Sequence, residues 1–343
     1  MRLSAMGDVA MTVPIIASFL STYPDVHITM LSTPKLKPLF PTTENFTFIP
    51  VDTKKEYAGN LGMYKLFKHL QKSYHFDAML DLHDVLRSKM LRTLYKLKGT
   101  PVYVIEKGRK EKKQLTNEKN KQLKPLKSSI QRYADVFEKA GYPITIDTSI
   151  VPYQATTTQC TDELIQLLPS SAKHIIGIAP FAQHKGKIYP TEKTEKIIAH
   201  FAQQQGIQIL LFGGGEIEKA QLEKWASTYP NTQSVAGKFS LSEELILLQH
   251  CHVVLSMDSS NMHLASLVHT PVVSIWGATH PYAGFYGYGQ KEENAVQIDL
   301  PCRPCSIYGN KPCSKGDYPC LNKIEEEAVI RKIEAVLLTS HTN

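Results

Sequence analysis

The sequence predicts an α/β protein built from two doubly wound domains in tandem, and three observations carry that reading. Short apolar, β-branched runs alternate with helical stretches through both halves of the chain, the mark of βαβ units on mostly parallel sheets. A polar, threonine-rich stretch, Asp147–Cys160 (DTSIVPYQATTTQC), separates the halves. The length, 343 residues, exceeds what one ordinary core organises. The expected domains are 1–155 and 156–323, with a final helical segment at 324–343. The cleft between two such domains is the default place for an active site.

In the first half, Met1-Arg2-Leu3 reads as the tail of a strand whose beginning is absent, and Ser4–Asp8 as a turn. Val9–Leu20 reads as a helix that tolerates Pro14 only near its first turn, and Tyr23-Pro24 ends it. Strands are predicted at Val26–Leu31, Phe46–Val51, Phe76–Leu80 and Val102–Ile105. Helices are predicted near Met63–Lys72, Val85–Leu97 and Ser129–Gly141. Between Lys107 and Lys127 the run KGRKEKKQLTNEKNKQLKPLK is almost devoid of apolar residues. It reads as a mobile, solvated loop or a frayed helix. The functional alternative is a basic arm that meets phosphates, on an acceptor or an anionic membrane surface. Nucleic acid is disfavoured, because no aromatic residues interleave the lysines.

The second half restarts the pattern. Strands fall at Ile175–Ala179, Ile207–Phe212, Gln233–Val235, Val253–Met257 and Val272–Trp276, and helices at Glu192–Gln205, Glu216–Thr228 and Leu241–His250. Ser240-x-x-Glu243 opens the last of these as a capping box. Gly213-Gly214-Gly215 lies between a strand and a helix, but it is not the G-x-G-x-x-G dinucleotide fingerprint.

Within this half, Val253–Pro281 (VVLSMDSSNMHLASLVHTPVVSIWGATHP) reads as strand, tight turn, short helix, strand. A helix that starts at the carboxyl end of a parallel strand points free N–H groups into the crevice there, which suits an anion. His263, one turn in, is placed to add a hydrogen bond, and Lys187, from the loop Pro180–Pro190, to add charge. The plainer reading is that Asp258 and the serines cap a helix and His263 packs.

Composition narrows the class. The hydrophobic fraction of 42% suits a globular fold, and no apolar run is long enough to span a membrane. The amino terminus lacks the apolar core of a secretory signal. Lys and Arg outnumber Asp and Glu by 39 to 32, which points to an anionic partner without naming it. The six cysteines are expected as thiols or metal ligands rather than disulfides. Cys302, Cys305, Cys313 and Cys320 have the spacing C-x2-C-x7-C-x6-C, compatible with zinc but long for a structural ribbon, so packed thiols are the alternative.

Arg2-Leu3-Ser4-Ala5-Met6-Gly7-Asp8-Val9, with Thr12 and Pro14, resembles the opening motif of glycosyltransferase family 9, the lipopolysaccharide heptosyltransferases. Asp258–Ala265, Thr270–Val273 and Gly277–Pro281 resemble that family's donor-site motif. The resemblance implies a GT-B fold, two Rossmann-like domains facing a central cleft, with a last helix (Ile324–Leu338) returning toward the first domain. It implies inverting transfer of heptose from ADP-heptose to an inner-core sugar of lipopolysaccharide, with no metal and no other cofactor, at the cytoplasmic face of the inner membrane. The implied partners are the nucleotide sugar, an anionic lipid-linked glycan and an anionic membrane surface, not nucleic acid.

By position, Asp8 matches the presumed general base and Lys187 the lysine on the donor diphosphate. Asp258, Ser259, Ser260 and His263 match the diphosphate-binding turn and helix. Phe239 and Leu241 fall beside the adenine, and Glu216 at the ribose. Arg87 and Gly7 fall on the acceptor side, Gly7 also being expected to give the turn a shape that aims Asp8 outward. Three departures stand out. The chain begins almost inside the first motif, Ser259-Ser260 replaces a threonine-glycine, and Pro180-Phe181-Ala182 replaces Pro-Gly-Ala. The alternatives are a GT-B transferase using another nucleotide sugar and a non-catalytic nucleotide-sugar binding protein.

Overall fold

A computed structural model describes residues 1–153 and 161–339. Residues 154–160, which include Cys160 and the end of the expected linker, lie outside the described residues. The chain forms two units. The first is Met1–Lys107 with Lys127–Tyr153, and the second is Gly108–Leu126 with Gln154–Asn343. The assignment of Gly108–Leu126 to the second unit has no counterpart in the sequence reading.

In the first unit, α1 (Met6–Ala10) and α2 (Val13–Thr22) replace the single helix expected from Val9. Pro14 sits in the first turn of α2, where its missing N–H costs nothing. β1 (Ile28–Ser32) pairs in parallel with β2 (Phe46–Pro50). After α3 (Gly59–Ser73), β3 (Met79–Asp81) is followed by α4 (Leu86–Leu97) and pairs in parallel with β4 (Val102–Val104). The extended segment Met1–Leu3 bridges the two pairs. The Arg2 N–H donates to the Leu31 carbonyl at 3.2 Å, the Met1 amino group to the Leu80 carbonyl at 2.8 Å, and the Leu82 N–H to the Met1 carbonyl at 3.1 Å.

The lysine-rich run contains α5 (Arg109–Leu115); most of its residues are exposed, but a few anchors tie it down. Leu115 is fully buried with Leu126 and Ala283, and the Lys112 ammonium lies 4.4 Å over the Phe285 ring. Lys121 donates to the carbonyls of Pro301 and Arg303 at 3.0 and 2.8 Å. The chain then returns to the first unit as α6 (Ser129–Lys139), whose Phe137 packs on Phe19 of α2 at 5.1 Å.

The second unit opens with α7 (Asp162–Leu167), β5 (His174–Ala179), α8 (Thr191–Ala202) and β6 (Ile207–Leu211). α9 (Glu216–Thr228), β7 (Thr232–Ser234), α10 (Leu241–His250), β8 (Val253–Met257), α11 (Ser260–Leu267) and β9 (Val272–Ile275) follow. β10 (Ala295–Val296), α12 (Pro319–Asn322) and α13 (Glu326–Thr339) complete the chain. The six strands make one parallel sheet in the order β10-β9-β8-β5-β6-β7. Helices cover both faces, so β6, β8 and β9 are buried throughout, which is why they read as largely apolar runs.

The last helix packs on α8 and on strands β8, β9 and β10 of this unit. Val329 and Ile333 enter the core, and Glu326 pairs with Lys196 at 2.5 Å and Lys193 at 3.1 Å.

Candidate active site

The strand order creates the site. The chain runs from β5 outward through β6 and β7, then returns to lay β8 on the other side of β5. Loops leaving the carboxyl ends of β5 and β8 therefore diverge, and a crevice opens between them. Both loops carry predicted residues. Lys187, after β5, places Nζ 2.9 Å from Oδ2 of Asp258, after β8, as an ion pair rather than a directed hydrogen bond. Asp258 is 3% exposed, so its carboxylate faces Lys187 and not solvent.

Ser259 is the N-cap of α11, with φ −141° and ψ 177°. This extended backbone suits any residue, and Ser260, which stands where glycine was expected, is the first residue of α11, so the turn forms without glycine. Ser259 makes no side-chain capping bond; its hydroxyl lies 3.3 Å from that of Ser256. The plainer expectation of serine side chains capping the helix is thus not met, and the leading N–H groups of α11, from Ser260 onward, stay available to a ligand. His263 is buried one turn in.

Three glycines from separate loops press together around the lysine. A Cβ on Gly186 would lie 2.8 Å from the Gly309 carbonyl, one on Gly277 2.7 Å from the Gly186 carbonyl, and one on Gly309 2.6 Å from Lys187 Cγ. The Ala278 N–H donates to the Gly186 carbonyl at 2.8 Å. Gly309 also has φ +73°, so only glycine fits comfortably there. Phe181, in place of the expected glycine, stacks on Trp225 of α9 with centroids 6.3 Å apart and joins the core. Its bulk is absorbed there.

Glu216 is the exposed first residue of α9, preceded by Gly215 at φ +88°. Phe239 and Leu241 are half-buried in the loop and first turn after β7. Lys238 pairs with Glu223 of α9 at 2.9 Å and ties the loop after β7 to that helix. These three residues therefore share the carboxyl edge that carries Lys187 and Asp258, farther along it. A cavity of about 310 Å³ opens elsewhere on the unit, lined by Leu123, His280, Asp299, Leu300, Pro301 and Arg303, and holds none of the predicted residues.

On the first unit, Asp8 lies in the first turn of α1, whose N-cap is Ala5, so Asp8 does not cap the helix. Oδ2 sits 2.5 Å from Arg2, which also donates to the Leu82 carbonyl at 2.9 Å, yet the Asp8 side chain stays 32% exposed. Gly7 is helical and has no positive φ, which corrects the expectation of a glycine-specific turn. Beside this pair, burial and the charges of Arg2 and Lys107 push His83 down to about 3, so it is neutral and accepts the Leu3 N–H on Nδ1 at 3.3 Å. Arg87 reaches the Thr53 hydroxyl at 3.3 Å.

Sequence reasoning missed Arg303. It is 4% exposed and donates to the carbonyls of Trp276, Gly277, Thr279 and Ile298 and to the Gln297 amide oxygen. A lone arginine between two cysteines gives no signal of such a role. Cys302, Cys305, Cys313 and Cys320 are free thiols, as is Cys251. Among the described residues, only Glu325, Glu326 and Glu327 bring three metal-ligating atoms within 4.8 Å of one another.

Comparison with known proteins agrees with this architecture. Residues 63–315 match the model of glycosyltransferase family 9 (heptosyltransferase). Lipooligosaccharide heptosyltransferase 2 of Haemophilus influenzae is 28% identical over 305 residues, 81% of this chain and 82% of the relative. Lipopolysaccharide heptosyltransferase 3 of Escherichia coli K12 is 25% identical over 287 residues, 80% of each chain. Among solved structures, a family 9 glycosyl transferase from Veillonella parvula superposes with a TM-score of 0.72 at 19% identity, over 98% of this chain and 96% of that one. The E. coli heptosyltransferase WaaC with ADP gives 0.66 at 19% identity, over 98% of each. These likenesses fix the fold as GT-B. The chain is a glycosyltransferase and belongs to family 9.

Proposed function

We propose that the protein transfers heptose from ADP-heptose to an inner-core sugar of lipopolysaccharide, with inversion and without a metal, at the cytoplasmic face of the inner membrane. The observation that carries this reading is Lys187 at the switch point of the sheet, next to a helix with no side-chain cap. A departing nucleoside diphosphate needs charge stabilisation, and a lysine plus free helix N–H groups supply it. Asp258 holds the lysine there. The relatives above are named as heptosyltransferases of lipopolysaccharide and lipooligosaccharide, which supports the choice of sugar and of acceptor class.

Asp8 acts as general base. Its carboxylate is held by Arg2 and partly exposed, so a hydroxyl can approach it and lose its proton while the sugar carbon is attacked from the face opposite the diphosphate. Phe239 and Leu241 receive the adenine, Glu216 the ribose, and Arg87 the acceptor's anionic groups. The test is incubation with ADP-heptose and heptose-deficient lipopolysaccharide core, followed by mass spectrometry and anomer assignment by NMR. Gain of one heptose with inverted configuration, unchanged by a chelator, is expected. Product from another nucleotide sugar alone contradicts the reading, and a strict metal requirement contradicts its metal-free part.

A further inference from the structure

The first unit carries a face that its core does not use. In α3 the buried residues are Gly62, Met63, Leu66, Phe67 and Leu70. Leu61, Tyr64, Lys65 and Lys68 recur at helical spacing on the opposite face, with Leu61 81% and Tyr64 43% exposed. In α4, Leu86 and Leu97 are 78% and 79% exposed, with Lys89 and Lys96 exposed between them.

The first turns of the two helices meet across one loop. Arg87 reaches Thr53, Lys65 lies 3.5 Å from Glu56, and Gly62 is pressed on Tyr57 so closely that a Cβ would lie 2.3 Å from its carbonyl carbon. Lys54 and Lys55 stand exposed on that loop.

Charge on this face is predominantly positive, with Glu56 beside Lys65 as an acidic exception. α3 and α4 contain seven Lys and Arg residues and no Asp or Glu. Arg92 turns inward to Asp81 and Asp84, at 2.9 and 3.1 Å, and Lys89 lies 3.9 Å from Asp84. The other five, Lys65, Lys68, Lys72, Arg87 and Lys96, are exposed.

We propose that this face, with Leu61 and Leu86 at its tip, docks the protein on an anionic bilayer. The choice of a bilayer rests on the function proposed above, in which the acceptor is lipid-linked. Headgroups at the membrane surface accept ammonium groups, and the layer just beneath accepts leucine tips, so one surface satisfies both at different depths. Nucleic acid would satisfy only the lysines. The lysine-rich run 107–127, the earlier candidate for this role, instead packs on the second unit through Leu115, Lys112 and Lys121.

Vesicle flotation of the full chain tests the proposal. Wild type is expected to float with mixed phosphatidylcholine–phosphatidylglycerol vesicles, to stay down with phosphatidylcholine alone, and to be released by high salt. The double variant Leu61→Ser, Leu86→Ser removes only exposed side chains and is expected to lose at least about fivefold in bound fraction. Its ADP affinity and its turnover on a lipid-free soluble acceptor stay at the wild-type level. Failure of wild type to float, equal flotation on neutral vesicles, or undiminished flotation of the double variant overturns the proposal. Absence of heptose transfer to the soluble acceptor strikes the proposed function instead, and flotation still reads out docking by itself.

Discussion

Lys187 Nζ lies 2.9 Å from Asp258 Oδ2, and this contact joins the loops after β5 and β8 where the order of the sheet reverses. Asp258 is buried and faces the lysine, so under the proposed function it places Lys187 rather than touching an anionic donor. Lys187→Ala is expected to weaken ADP binding by about 1.5–3 kcal/mol, the worth of a charge-assisted hydrogen bond. Residues that act as one unit are not additive. Lys187→Ala with Asp258→Ala should therefore cost little more ADP affinity than the worse single variant. Calorimetry that finds the two losses summing would separate the residues.

Gly309 sets the wall behind Lys187. Gly309→Ala must strain a left-handed backbone, by about 1–2 kcal/mol, and also push a methyl group into the lysine stem. ADP affinity is expected to fall together with thermal stability, whereas Gly316→Ala, at similar φ with open space around it, should lower stability alone. Equal ADP affinity in the two variants would show that Gly309 does not shape the donor side.

Much of the second unit was legible. Strands β5, β6, β8 and β9 are mostly apolar because helices cover both faces, and such runs stand out in a sequence. The Ser240 capping box formed as its spacing requires. The rest failed for identifiable reasons. β3 begins three residues later than expected because Phe76, before it, packs with Tyr74 and Tyr95 instead of in the sheet. Gly7 signalled a loop but sits in a helix. Arg303 and Gly309 matter through partners far away in sequence, which no local pattern reveals. The lysine-rich run hides its anchors, two leucines and the ammonium groups of Lys112 and Lys121, among charges.

That run gives a direct comparison. Leu115→Ala opens a cavity in a fully buried site and is expected to cost about 2–5 kcal/mol by denaturant unfolding. Leu123, in the same segment but 53% exposed, should tolerate the same change within about 0.5 kcal/mol. A loss below about 1 kcal/mol at Leu115 would return the segment to a solvated loop.

Glu244 links the second unit to pH. Burial pushes its carboxyl up to about 7, above the roughly 4.3 of a free glutamate. The folded chain therefore keeps this proton longer than the unfolded chain. The stability linked to it is complete below about pH 4 and is lost as pH rises toward 7. Glu244→Gln should remove that loss, so the stability of the variant relative to wild type should grow between pH 5 and pH 8. A constant difference across that range would rule out Glu244 as the cause.

The account stands most directly on Asp8→Asn, measured as kcat with ADP-heptose and a lipopolysaccharide core acceptor, alongside ADP affinity. Asparagine keeps the shape of the side chain and its place by Arg2, but cannot take a proton. A fall in kcat of about 10²–10⁴-fold is expected, with ADP binding unchanged because the proposed donor residues belong to the other unit. Near-normal kcat in this variant would contradict the assignment of Asp8 as the base.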